Sequence, residues 1–205
     1  MNGEPQITTR QIAIAEAILR NCRYAPGSVL DVGCGNGAIA DYLRQRLPCV
    51  RRVEGVEILP RRDAFIPVRR FDGTHLPYQD GEFELILLSD VLHHIPTVRG
   101  QLRLLQECAR ASSKAVIVKD HLCDSKLALL LLAGMDWIGN HKDGVPLPFT
   151  YHTTTNWHRL ARLAGLKSVR SQTRHFNIYA KPLAYLAEGG VITGPLHVLH
   201  VFEKA

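Results

Sequence analysis

Apolar side chains in this chain follow two periods, and their alternation lays out the fold. Between residues 8 and 22 they recur at helical spacing (Ile12, Ala15, Ile18, Leu19), and Tyr24-Ala25-Pro26-Gly27 ends that helix in a turn. A strand at Ser28 to Val32 follows, then a glycine turn, a helix from about Ala38 to Leu47 stopped by Pro48, and a strand from about Arg52 to Ile58. This is a βαβ unit. A short strand, Pro67 to Phe71, precedes the continuous apolar run Phe83 to Leu88, the pattern of a central strand covered on both faces. Further on, the pattern predicts helices at about Val98 to Ala111, Lys126 to Ile138 and Thr155 to Ala164. It predicts strands at Ala115 to Lys119, Lys167 to Thr173 and His197 to Phe202. Strands alternating with helices define a mainly parallel, doubly wound α/β sheet.

Such a sheet binds its ligand beyond the carboxyl ends of its strands, so the residues there are the candidates for chemistry. The first strand runs into VLDVGCGNG (Val29 to Gly37). Gly33, Gly35 and Gly37 allow a tight turn and remove the side chains between backbone and ligand, while Asp31 can meet a positive group. The second strand ends at Glu57, at about the interval where a dinucleotide fold places an acid on both ribose hydroxyls. The third ends at Asp72, whose carboxylate can accept from a purine amine with Gly73 and Thr74 beside it. The fourth ends at Ser89-Asp90, followed by Val91-Leu92-His93-His94. The glycine pattern alone leaves the ligand open, because Gly33, Gly35 and Ala38 also satisfy the GxGxxG/A form of an NAD fingerprint.

Bulk properties narrow the field. With 205 residues, 46% hydrophobic and 21% charged, the chain has the composition of one globular domain, and we expect residues 1–205 to form it. The N-terminus has an early acid and no basic lead into an apolar run, so a signal peptide is not expected and the cytoplasm is the default. Five scattered cysteines without CxxC pairs or zinc spacing read as free thiols, with no structural metal indicated. The net charge of +6 includes the pairs Arg51-Arg52, Arg61-Arg62 and Arg69-Arg70. They lack interleaved aromatics and read as a solvated face, not a nucleic-acid footprint.

The ordered set LDVGCGNG (30 to 37), VEGVEI (53 to 58), FDGTHLPYQDGEFELILLSDVLHHI (71 to 95) and AVIVKD (115 to 120) resembles the class I S-adenosylmethionine-dependent methyltransferases, particularly their UbiE-like type 11 group. The similarity covers about residues 28 to 120. It implies a Rossmann-like seven-stranded sheet, helices on both faces, with an antiparallel last strand at His197 to Phe202. It implies S-adenosyl-L-methionine as cofactor and S-adenosyl-L-homocysteine as product. Asp31 would lie near the aminoacyl part, with the backbone of Gly33, Cys34, Gly35, Asn36 and Gly37 against the methionine and ribose. Glu57 would hold the ribose, Asp72 with Gly73 and Thr74 the adenine, and the Ser89 backbone the amine, with Ile58 and Asp90 also among the cofactor-binding residues. Ala111-Ser112-Ser113-Lys114 stands where the family has proline-glycine-glycine, which changes a turn.

Methyl transfer is an in-line displacement at a carbon already activated by a sulfonium, so alignment is the protein's main task and a general base is optional. For a hydroxyl acceptor, His93 or His94 can take the proton, although one of the pair is expected to pack into the fold. Acceptor choice should lie in residues 121 to 152, a lid or insertion. There Leu127 to Met135 is apolar nearly all round yet too short to span a bilayer, which leaves a buried helix, a lid or peripheral membrane contact. In the polar set that follows, with Asp136, His141 and His152, we single out Trp137, Asn140 and Tyr151 as acceptor-pocket residues, with His175 and Tyr179 as weaker candidates. The expected function is methyl transfer to a small, partly apolar molecule, without nucleic acid. The rivals are an NAD(P)-dependent oxidoreductase and a non-catalytic cofactor-binding regulator, and the charge leaves an RNA methyltransferase open although no added RNA-binding module is apparent. Sequence alone sets neither the atom methylated nor the oligomeric state.

Overall fold

A computed structural model of the chain describes residues 6–140, 147–174, 176 and 195–205, with backbone only for Gly139 and Asn140. In chain order the elements are α1 (Thr9–Asn21), β1 (Ser28–Val32), α2 (Ala38–Arg46), β2 (Arg52–Glu57), β3 (Val68–Arg70) and β4 (Phe83–Ser89). A 3-10 turn (Leu92–His94) leads on to α3 (Val98–Ala111), β5 (Ser112–His121), α4 (Lys126–Asn140), α5 (Thr154–Leu163), β6 (Leu166–Gln172) and β7 (His197–Lys204).

The strands form one seven-stranded sheet in the order β3-β2-β1-β4-β5-β7-β6. β7 runs antiparallel to both β5 and β6, and the pairings among β1 to β5 are parallel. This is the doubly wound, Rossmann-like sheet with an antiparallel last strand that the sequence implies. Its order reverses between β1 and β4, which opens a crevice at the carboxyl ends of those two strands.

Period-two alternation divides the core into two layers. Leu30, Val32, Ile86, Leu88, Val116 and Val118 face one side, where α3 and α5 contribute Leu104, Leu105, Cys108, Trp157 and Leu160. Val29, Leu85, Leu87, Ile117, Leu199 and Val201 face the other, covered by Ile14 and Ile18 of α1 and Ala40 and Leu43 of α2. Because β4 and β5 are covered on both faces, their sequences read as apolar runs. Threonines start three of the helices: Thr8 forms a full capping box with Gln11, and Thr97 and Thr153 cap α3 and α5. The expected turn at Ala111–Lys114 is instead the point where α3 passes straight into β5, Ser112 being both the helix cap and the first strand residue. Among the described residues no helix is long and apolar enough to cross a membrane.

α2 begins at Gly37 in the left-handed region (φ 74°), where a Cβ would lie 2.4 Å from Ile66 Cγ1. Gly35 is also left-handed (φ 56°), but a Cβ there meets nothing within 4 Å. Gly37→Ala should therefore cost about 2–5 kcal/mol in urea unfolding, combining backbone strain with overpacking, against about 1–2 kcal/mol for Gly35→Ala. Equal losses would contradict this reading of the turn.

Candidate active site

Two groups of side chains meet the crevice, one from the β1–β2–β3 ends and one from the β4–β5 ends. On the first side, β1 carries Asp31 into a buried position beside Gly55 of β2 and Leu87 of β4. Burial, reinforced by the negative charge of Glu57, pushes the Asp31 carboxyl up to about 7. The glycine turn is tied to β2: Gly33 and Cys34 N–H donate to Val56 O, and Cys34 Sγ packs where a Cβ on Gly55 would collide at 2.5 Å. Glu57 closes the loop, its Oε2 accepting from Gly35 N at 2.9 Å and its Oε1 from Ile58 N at 2.8 Å. Asn36 Oδ1 accepts from Gln11 Nε2 of α1 (3.1 Å) and from Ala38 N (3.3 Å).

Asp72 lies beyond β3, its Oδ1 accepting from both Thr74 N and His75 N at 2.7 Å. Those backbone donors lower its carboxyl to about 2. A Cβ on Gly73 would sit 3.1 Å from Ile58 Cδ1, so the Ile58 and Asp72–Thr74 segments adjoin.

The second group starts at the crest of β4, where Asp90 holds a left-handed φ of 57°, a conformation non-glycine residues rarely keep without compensation. Its N–H donates to Lys119 O at 2.8 Å, and its carboxylate pairs with Lys119 Nζ and with Arg10 Nη2, the latter at 2.6 Å. Burial opposes the Asp90 charge, but Lys119 and Arg10 outweigh it and hold the carboxyl well below the usual range. Sequence reasoning placed Asp90 with Ser89 on the cofactor. The structure instead commits its carboxylate to this ion network, while Ser89 stays half-buried at the strand end.

His93 and His94 occupy the 3-10 turn with ring centroids 4.0 Å apart and separate roles. His93 is buried and its Nδ1 lies 2.6 Å from Asp120 Oδ1, whereas His94 is half-buried. Asp120 Oδ2 also accepts from Leu92 N (2.9 Å), and Gln101 of α3 donates to Leu92 O (2.9 Å), so the turn is held from β5 and α3. Burial disfavours protonation of His93, but the Asp120 carboxylate overrides it and raises the pKa. His121, the next residue on β5, packs edge-on against His93 at 4.3 Å, and burial lowers its pKa.

The segment 121 to 152 is reached differently from expectation. Tyr151 joins the site, its hydroxyl donating to Asp136 Oδ2 at 2.5 Å. Trp137 does not join it: the ring is 57% exposed on the outer face of α4, with Leu130 and Ile138. At helical spacing Asp136 and Trp137 point about 100° apart, so the two do not share a face of α4. Nor is α4 a fully buried helix: among its described side chains Ala128, Leu132 and Asp136 are buried, the first two packing with Leu196. The Asn140 side chain, His141, His175 and Tyr179 lie outside the described residues. The residues that sequence reasoning left without a role are Arg10, Gln101, Lys119, Asp120 and His121. The available signal was the charged triplet Lys119-Asp120-His121 directly after the apolar run Ala115 to Val118.

A doubly wound sheet with a glycine turn after β1 and acids at the ends of β1, β2 and β3 defines a nucleotide-type cofactor fold. The methyltransferase-domain family Methyltransf_23 matches residues 8–171, and the chain belongs to it. It is 34% identical over 88 residues to the Probable tRNA methyltransferase 9B of Bos taurus, covering 42% of this chain but 19% of that protein. The chain thus spans about a fifth of the curated relatives it matches. Among solved structures, a chain in the complex of the Haloferax volcanii Trm112 methyltransferase activator with a methyltransferase superposes with TM-score 0.69 at 16% identity, over 95% of this chain and 90% of that one. The S-adenosylmethionine dependent methyltransferase from Mesorhizobium loti gives TM-score 0.68 at 16% identity, over 94% and 98%. At these identities the likeness is one of fold.

The Asp31 position carries a pH signature. With its carboxyl near 7 when folded and about 3.9 when unfolded, the folded chain holds a proton that the unfolded chain has lost, so this residue's stability contribution falls as pH rises from 4 through 7. Asp31→Asn should raise the melting temperature by about 3–8 °C at pH 8 and leave it nearly unchanged at pH 4. A lower melting temperature at pH 8 would contradict the assignment.

Proposed function

We propose that the chain transfers the methyl group of S-adenosylmethionine to a small, partly apolar acceptor, leaving S-adenosylhomocysteine. The observation that carries this reading is the pair of carboxylates, Asp31 and Glu57, under the open crest of the glycine turn. Asp31 is buried and faced by another negative charge, so a cationic ligand relieves it. A sulfonium and an ammonium group supply that charge, whereas the pyrophosphate of NAD would bring further negative charge to the same turn. The space at the Cβ position of Gly35 fits a ligand laid against bare backbone. Membership of a methyltransferase-domain family supports the same reading.

The bound cofactor supplies a methyl carbon made electrophilic by its sulfonium. On this reading Asp31 holds the aminoacyl end, Gly33 to Gly37 lie along the methionine and ribose, and Glu57 takes the ribose hydroxyls in exchange for its bond to Gly35 N–H. Ile58 and Asp72 to Thr74 flank the adenine, and Ser89 offers backbone near the amine. His94, the half-buried histidine of the pair, is the residue placed to receive a proton from an acceptor hydroxyl. His93 is committed to Asp120 and orients the turn that carries His94. α4 and Tyr151 form the acceptor-side cover. The name of the Bos taurus relative suggests an RNA acceptor as the second reading. Against it, Arg52 is spent on Glu54 and Glu82 at 2.7 and 2.8 Å instead of being presented to a phosphate backbone.

Calorimetry should show S-adenosylmethionine and S-adenosylhomocysteine binding with no heat from NAD; the reverse would overturn the proposal. Glu57→Ala should weaken cofactor binding by roughly 10–100-fold, the worth of hydrogen bonds to a charged acceptor. Unchanged affinity would remove Glu57 from the site.

A further inference from the structure

Three buried side chains from three separate elements converge beside the 3-10 turn. They are His93 on the turn, His121 at the end of β5 and Asp136 on α4, and one donor atom from each lies within 4.8 Å of the other two. His93 Nε2 is 3.7 Å from Asp136 Oδ2, and His121 Nε2 is 3.9 Å from Asp136 Oδ1. Both gaps are too long for a hydrogen bond. They match the spacing of about 3–4 Å between two ligands that each sit roughly 2.0–2.2 Å from one metal ion.

The surroundings are arranged for such an ion. Asp120 backs both rings on their far sides, with Oδ1 at 2.6 Å from His93 Nδ1 and 3.4 Å from His121 Nδ1. It thereby directs both Nε2 atoms toward Asp136, and a carboxylate behind a ligating histidine is what fixes its tautomer and ring orientation in metal sites. The Asp136 carboxylate is itself held by the Tyr151 hydroxyl at 2.5 Å. His121 Nδ1 is buried without a formed hydrogen bond, and a small rotation of the ring onto an ion would bring it to Asp120. Two buried carboxylates, Asp120 and Asp136, balance the charge of a divalent cation. An overlapping trio, Asp90, His121 and His197, is less suited, because Lys119 and Arg10 already place two positive charges on Asp90.

We infer that His93, His121 and Asp136 form a binding site for a divalent transition-metal ion of the zinc or ferrous class. Two imidazoles and one carboxylate suit those metals and disfavour magnesium and calcium, which prefer oxygen ligands throughout. The ion would pin α4 to the sheet and leave a coordination position open for water or for an oxygen or nitrogen of the acceptor. That last consequence rests on the methyl-transfer reading, whereas metal binding does not.

The test uses the full chain without a histidine tag, stripped with chelator and titrated with cobalt(II), zinc(II) or magnesium. Cobalt should develop visible absorption bands saturating at one ion per chain, zinc should displace it, and zinc should raise the melting temperature by several degrees. Magnesium should do neither. His121→Ala and Asp136→Asn should each abolish the bands, while the surface variant His158→Ala should keep them. Circular dichroism confirms folding, and Asp136→Asn alone decides the matter if His121→Ala does not fold. Absence of bands in the wild-type chain, their survival in Asp136→Asn, or displacement by magnesium as readily as by zinc would overturn the inference. Cobalt binding without S-adenosylmethionine binding would uphold the metal site and defeat the methyl-transfer reading alone.

Discussion

Asp120 is a carboxylate only 1% exposed, and the geometry at the β4–β5 end depends on how its charge is satisfied. Leaving it unpaired would cost several kcal/mol, more than most single contacts can repay. It accepts from Leu92 N–H, from its neighbour His121 N–H and from the His93 ring, and these bonds fix the turn after β4 against the end of β5. Histidine stacking, the half-buried placement of His94 and the approach of α4 through Asp136 and Tyr151 follow from that fixed point. Burial deepens the arrangement, since the same low polarity that penalises an isolated charge strengthens each bond the carboxylate makes.

The crevice is electrostatically divided by the strained crest at Asp90. On one side Asp31, its carboxyl raised to about 7, and Glu57 lie beside bare glycine backbone, where a cationic group would favour both carboxylates. On the other, Asp120 and Asp136 face two histidines, suited to proton handling or a metal ion. Asp90, held between Lys119 and Arg10, ties α1 and β5 together at the boundary, so the first helix of the chain takes part in a site built otherwise from strand ends. The positive φ at Asp90 is sustained by those two ion pairs and by its N–H bond to Lys119 O. Strain compensated at a strand end next to the candidate chemistry is the usual place for it.

Much of the fold was legible because burial acts on sequence through period alone. The run Phe83 to Leu88 predicted a central strand and Ala115 to Lys119 a further strand, and β4 and β5 are covered on both faces. The turns at Gly33 to Gly37 and at Gly73 were legible for another reason, because glycine signals a local backbone conformation. What could not be read was convergence. His93, Asp120, His121 and Asp136 lie on three elements separated by 27 and 15 residues, so no zinc-like spacing exists to be seen, and the absence of a metal motif was inferred from local spacing only. Helical phase was equally invisible in residue type, for it buries Asp136 and leaves its neighbour Trp137 exposed. Asp90 was likewise placed by position in a motif, without knowledge that Lys119, the register partner of Ser89 on β5, reaches its carboxylate.

The most direct test of the account is a crystal structure of the chain with S-adenosylhomocysteine bound. The account predicts the amino-acid end beside Asp31, the ribose hydroxyls on Glu57 and the sulfur directed across the Asp90 crest toward His94 and the His93–Asp120 pair. A ligand bound elsewhere on the sheet, or one whose sulfur faces away from the β4–β5 ends, would contradict it.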